Sequence, residues 1–183
     1  MKRIIIGGVL GGVVIFIWGI LAWTVLDLHM PTLHGLPDEA AVTEALKKQD
    51  LKTGVYLAPW SSDEKDRGNS ESDWTQRHQA GPIYSIYFHK EGAAPMGAGV
   101  MVSGFAIDLL SALLAAALLS CAAGGCCNTY FKRVGFVAGL GVFLGLMAHG
   151  AYWNWMNFPT DYTLMFIVDV VIGWTLVGLT IAG

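Results

Sequence analysis

Three ionisable residues stand inside long apolar stretches of this chain: Asp108, His149 and Asp169. A carboxylate or an imidazole in hydrocarbon is expensive. A chain keeps one there to hydrogen-bond another helix, or to hold a proton, an ion or a small ligand. Helical spacing puts each of the three on a stripe of small or polar residues rather than among leucines. Asp108 shares a face with Gly104, Ser111 and Ala115, His149 with Gly141 and Gly145, and Asp169 with Tyr162, Gly173 and Leu176. At a rise of 1.5 Å per residue, Asp169 lies about 12 Å and His149 about 4–5 Å from the turn that joins their helices. Asp108 lies about 6–18 Å inside its own helix by the same measure. The shared depth predicts that the three converge, with Tyr162 and Ser111 beside them, as a ligand or proton site in which two acids share a proton with one histidine. The plainer reading, and the leading one, is structural, with each acid protonated and hydrogen-bonding a neighbouring helix as glue or docking a subunit. A third reading has them simply reaching the headgroups.

No catalytic residue is expected. The chain has no Gly-rich phosphate loop, no HExxH and no GxSxG elbow.

Composition decides which elements must position these groups. The chain is 54% hydrophobic and 14% charged, too apolar for an ordinary soluble domain. Its apolar residues fall into runs of the length that crosses about 30 Å of hydrocarbon. The expected fold is a membrane all-α protein. It has four transmembrane helices and a small extracytoplasmic α+β insert between helices 1 and 2. The segments are 1–26 (first span), 27–92 (insert) and 93–183, the last holding spans at about 96–123, 134–152 and 162–182. The first run, Ile4 to Leu26, exceeds a cleavable signal's apolar core and lacks a small-x-small site after it, so it reads as an uncleaved anchor. Lys2, Arg3, Lys132 and Arg133 flank spans without any acid beside them, whereas the turn between the last two spans has no basic residue. The positive-inside rule then places both termini and the 124–133 loop in the cytoplasm and residues 27–92, with the turn between the last two spans, outside.

The insert reads as a helix over LPDEAAVTEALKKQD, a strand at TGVYLAPW, a short helix in SESDWTQRHQ capped by Ser70, and a strand at PIYSIYFHK. Such a small unit buries little core. It is expected to lean on the membrane surface, on the 152–162 turn or on another protein, unless its aromatics simply fill its own interior. Its acidic balance argues against nucleic acid.

Within the membrane, close approach of small residues drives helix association. The first span carries Gly7 and Gly11, overlapped by Gly8 and Gly12; the third carries Gly139, Gly141 and Gly145. Tyr152, Trp153, Trp155 and Phe158 read as the interfacial belt that anchors helix ends, with a quinone or headgroup pocket as the alternative. No cofactor is expected. His149 is the one histidine within a span, so a haem would need an unusual single-ligand or interfacial site. His29 and His34 read as residues at the surface just beyond the first span. Cys121, Cys126 and Cys127 lack zinc-site spacing, so no metal is expected.

The Gly-rich first span with FIWG, the LPDEAAVTEAL helix, the GVYLAPW strand and the YWNWMNFPTDYT turn give the chain a further likeness. It resembles a loose group of small four-span bacterial inner-membrane proteins. The resemblance implies bacterial origin and the four-span layout; it carries no activity, and no residue role transfers from it. The leading functional expectation is an accessory, stabilising or assembly subunit of a larger membrane complex, its partners being the lipid bilayer and other membrane subunits. A small transporter or ligand- or proton-binding protein using Asp108, His149 and Asp169 is the alternative, and a membrane enzyme the third reading.

Overall fold

The structure, a computed structural model, describes residues 1–183. In chain order its helices are α1 (Lys2–Thr24), α2 (Glu39–Lys48), α3 (Asp73–Ala80), α4 (Ala98–Ala122), α5 (Tyr130–Gly145), α6 (Ala151–Met156) and α7 (Thr160–Ile181). A π-helical turn, Leu146–Gly150, fuses α5 to α6. Four stretches are long and apolar enough to cross a membrane: α1, α4, the fused helix Tyr130–Met156, and α7. The fused helix starts earlier than the expected 134 because Lys132 and Arg133 lie within its first turn. Long basic side chains can do this, since their stems stay apolar while the heads reach out. Hydroxyls in these spans bond back to the preceding turn: Thr175 Oγ1 donates to the Val171 carbonyl at 2.7 Å and Thr180 Oγ1 to that of Leu176 at 2.9 Å. With no water in hydrocarbon, such local partners keep polar groups satisfied.

The chain divides into two compact units, one made of Met1–His34 with Pro95–Gly183, the other of Gly35–Ala94. Residues 27–34, expected in the insert, belong with the helical unit instead.

Within the helical unit α1 packs along both α4 and α7, and α7 packs along α5. Glycine faces set these contacts. A Cβ on Gly8 or Gly12 would lie 2.8 Å from the Cα of Leu113 or Leu109, so α4 approaches α1 almost backbone to backbone. Gly7 and Gly11 line the neighbouring face, where a Gly11 Cβ would meet Val177 and Ala112 at 3.1 and 3.2 Å. The two overlapping pairs therefore serve two partners. Gly141 sits under Trp174, Gly145 against Ile167, and Gly178 against Val134 and Val137. Gly139 does not pack in this way: nothing lies within 4 Å of its missing side chain. These pairings run every neighbouring span antiparallel and bring residues 1–7, the α4–α5 turn and residues 177–183 to one end. The core lies toward that end, built from Ala115, Leu119, Cys127, Val137, Trp174 and Val177.

The insert holds a two-stranded antiparallel sheet, β1 (Gly54–Ala58) with β2 (Tyr84–Phe88), in the register Val55↔Tyr87 and Leu57↔Ser85. Asp38 caps α2 by accepting from the Ala41 N–H at 3.0 Å. The cap of α3 is Ser72, which accepts from Thr75 N–H at 3.2 Å; the expected cap, Ser70, lies two residues too early. Ser72 is the one buried residue of the unit, and Val55, Leu57 and Tyr87 leave an apolar face of the sheet exposed.

Candidate functional site

α7 carries Asp169 about two and a half turns from its start at Thr160. Two donors converge on its carboxylate. Trp18 of α1 gives its indole N–H to Oδ1 at 2.7 Å, and His29 Nε2 lies 3.0 Å from Oδ2. Gly173, one turn along α7, makes room for this meeting: a Cβ there would lie 2.9 Å from the Trp18 ring and closer still to Ile15. α1 thus brings its indole to the acid because α7 has no side chain in the way.

His29 reaches the acid by a reversal of the chain. α1 ends at Thr24, and Leu28 N–H returns to the Ala22 carbonyl at 2.9 Å. Asp27 takes a left-handed conformation with φ 47°, which aspartate tolerates better than most residues. A single 3₁₀ turn at Met30–Thr32 follows, with Pro31 as its second residue. The result folds residues 27–32 back over the end of α1. His29 becomes fully buried, its ring stacked on Trp23 at 4.2 Å and tilted against Phe166 at 4.4 Å.

An aromatic series continues outward from this point. Phe166 contacts Tyr162 at 4.5 Å between ring centres, Tyr162 contacts Phe158 at 5.8 Å, and Phe158 stacks with Tyr152 at 5.3 Å. Asn157 closes α6 in the left-handed region with φ 56°, and Pro159 then opens α7, the usual order of a helix stop and a restart. Trp153 bridges the turn through its indole N–H to Thr160 Oγ1 at 3.1 Å. Of the residues expected to form the interfacial belt, Tyr152, Trp153 and Trp155 are exposed and Phe158 is half-buried.

The expected trio is therefore only partly assembled. His149 lies beside the site, 5.1 Å from Phe166 between ring centres, but makes no hydrogen bond to Asp169. It sits inside the π turn, where the extra residue breaks the Gly141–Gly145–His149 stripe that regular α geometry would continue. Asp108 makes no hydrogen bond or ion pair at all. It continues the stripe of Ala112, Ala115 and Leu119 beyond the core, half-buried, with open space at Gly104 one turn on. Neither Ser111 nor the Tyr162 hydroxyl takes part in a hydrogen bond. The histidine that does serve Asp169 is His29, which spacing had left at the surface. The available signal was the DLHMPT segment, with a left-handed-tolerant aspartate and a proline directly after an apolar span.

Chemically the site is a part-buried carboxyl group held by two ring nitrogens, the Trp18 indole Nε1 and His29 Nε2. Where Nε2 of a neutral imidazole is the donor in this contact, it carries the ring's one proton. Nδ1 is then a bare lone pair, and it has no partner; the buried Thr163 Oγ1 has none either. At the opposite end of the bundle Cys127 is buried, which pushes its thiol up, as does its contact with Cys126. Family models, curated proteins and solved structures, compared with this chain, offer no match.

Proposed function

We propose that the chain is an accessory, stabilising or assembly subunit of a larger membrane complex, in a bacterial inner membrane with both termini inside and residues 27–92 in the periplasm. Asp108 is the observation that carries this reading. Asp169 is already satisfied within the chain by Trp18 and His29, so it needs nothing further. Asp108 has no partner in the chain, on a helix with the hydropathy of a membrane span. A carboxylate in such a place faces a neighbour that can hydrogen-bond it, and the open space at Gly104 beside it admits a close-packed helix. Gly135 and Gly139 on α5 likewise have nothing within 4 Å where a side chain would stand, and the exposed Val55, Leu57 and Tyr87 give the insert an apolar face to cover.

Native purification in mild detergent tests the proposal. The wild type is expected to bring down a defined membrane protein in fixed ratio. Asp108→Asn should retain it, because an amide still hydrogen-bonds. Asp108→Leu should weaken it about fivefold, the worth of one interhelical hydrogen bond of about 1 kcal/mol. A wild-type chain that purifies alone, with Asp108→Leu indistinguishable from it, would overturn the reading.

Orientation has its own measurement. In a variant with the three native cysteines replaced, Ser62→Cys and Asn157→Cys are expected to react with an impermeant thiol reagent in spheroplasts, and Thr129→Cys to stay unlabelled. The reverse pattern inverts the topology.

One observation favours a second reading, a small transporter or a ligand- or proton-binding protein. His29 Nδ1 and Thr163 Oγ1 are buried without partners, and native structures seldom leave such atoms idle. Flux through liposomes holding the purified chain alone would support this reading over the first.

A further inference from the structure

The end of the bundle that gathers both termini holds a cavity of about 150 Å³, set between the ends of α1, α4 and α7. Its walls divide by chemistry. Gly7, Ala116, Leu119 and Ile181 line the apolar side, and Arg3, Arg133 and Ser120 the polar side. Gly7 matters because it has no side chain: a Cβ there would meet Ile181 at 3.7 Å and Ala116 at 3.9 Å, so a larger residue would grow into this space.

Arg133 is fixed in place. Its Nε donates to the Cys127 carbonyl at 3.2 Å and its Nη1 to the Ala182 carbonyl at 3.1 Å. Those two bonds order the guanidinium and leave the rest of its donor set unused. Arg3 makes no hydrogen bond or ion pair within the chain. Gly183 also borders the cavity, and its carboxylate forms no ion pair with either arginine. Two positive side chains thus line one small cavity with no anion paired to them, beside a hydroxyl donor and above an apolar wall continuous with the spans.

We propose that this cavity binds the phosphodiester headgroup of an anionic phospholipid, with the two guanidinium groups and the Ser120 hydroxyl on the phosphate and the apolar wall along the glycerol and upper acyl chain. Guanidinium groups suit phosphate because their planar donors match its oxygens in pairs. The volume suits the phosphodiester group itself, since a cavity of about 150 Å³ admits a benzene-sized molecule, and the glycerol and acyl chain would run out of it along the spans. Basic pockets between spans, at the level of the headgroups, are where anionic lipids bind membrane proteins. Free phosphate shares the charge chemistry but would leave the apolar wall unused.

Binding is read by native mass spectrometry of the full chain in detergent, and by retention of lipid after delipidation. Phosphatidylglycerol is expected to be retained over phosphatidylcholine, and inorganic phosphate to compete only weakly. Arg3→Gln, which disturbs no internal bond, should weaken phosphatidylglycerol about fivefold. Ser120→Leu fills the cavity from an exposed position and should abolish the preference. Arg133→Gln should do so too, but it also removes two carbonyl bonds, so the first two variants decide. Equal retention of the two lipids, or a preference untouched by Arg3→Gln and Ser120→Leu, overturns the proposal and leaves the arginines as ordinary flanking charges or as partners of the Gly183 carboxylate. Displacement by inorganic phosphate as readily as by lipid overturns the lipid assignment.

Discussion

Asp169→Leu is expected to destabilise the chain by about 2–3 kcal/mol and to release the segment that follows α1. The change removes the acceptor for two donors at once, the Trp18 indole N–H at 2.7 Å and His29 Nε2 at 3.0 Å. An orphaned buried donor costs about 1–3 kcal/mol, and hydrogen bonds between membrane helices fall toward the lower part of that range. Asp169→Asn should be much milder, about 1 kcal/mol or less. Its amide oxygen can still accept from Trp18. Its amide nitrogen can donate to His29 Nε2 if the imidazole proton moves to Nδ1, an atom that has no partner in either state. Thermal unfolding in detergent gives the stability. Tryptophan emission reports the local event, because Trp23 stacks on His29 and Trp18 bonds the acid. Should Asn prove as damaging to function as Leu while the fold stays intact, the charge itself is needed, and the ligand- or proton-binding reading gains over the structural one.

Gly12→Val is expected to cost about 3 kcal/mol, the upper part of the range for overpacking a tight interior. The reason is the identity of the atom it meets. A Cβ at Gly12 would stand 2.8 Å from the Cα of Leu109, and a helix backbone cannot turn aside as a flexible side chain does. α4 must move away from α1 along its length. The same substitution at Gly139 has nothing within 4 Å to strike. There it should leave the stability of the chain unchanged or slightly raise it, since glycine is a poor helix former. If α5 docks a partner through that open face, Gly139→Val should lose the partner while keeping the fold. Unfolding midpoints of the two variants, measured side by side, separate these outcomes; equal midpoints would show that the α1–α4 contact is looser than its geometry implies.

These two sites also mark where sequence reading ends. Small residues recurring every fourth position show that helices can approach closely, but not which face meets which neighbour. Gly7 with Gly11 and Gly8 with Gly12 are equivalent as patterns, yet the first pair lies in the seam between α7 and α4 and the second meets α4 alone. Gly139 has the same local signature as Gly141, and only the latter lies under a neighbour's side chain. A pattern within one helix carries no information about the helix that will cover it.

Run length and hydropathy were enough to find the four apolar helices, since hydrocarbon leaves the backbone no other way to satisfy itself than within the helix. Alternation and the charge pattern at helix ends were enough to find the two strands and two α-helices of the insert, though the cap of α3 is Ser72 and not Ser70. The stripe on α7 identified Asp169 as facing protein. Its partners could not be read in the same way. Trp18 reaches it across 151 positions and His29 across 140, and periodicity relates only residues of one helix. His29 is buried because a left-handed Asp27 and one 3₁₀ turn fold the chain back onto α1, a reversal set by a few dihedral angles rather than by a repeating pattern. Asp108 and His149 failed to join for a matching reason. α4 packs on α1, which leaves its acid unpaired, and the π turn breaks the α-helical stripe on which His149 was placed. The sequence alone thus determined which four helices are long and apolar enough to cross a membrane and that Asp169 faces protein, because run length, hydropathy and helical pitch are local properties. Which acid met which donor was decided only by tertiary packing, because that depends on how closely two backbones approach.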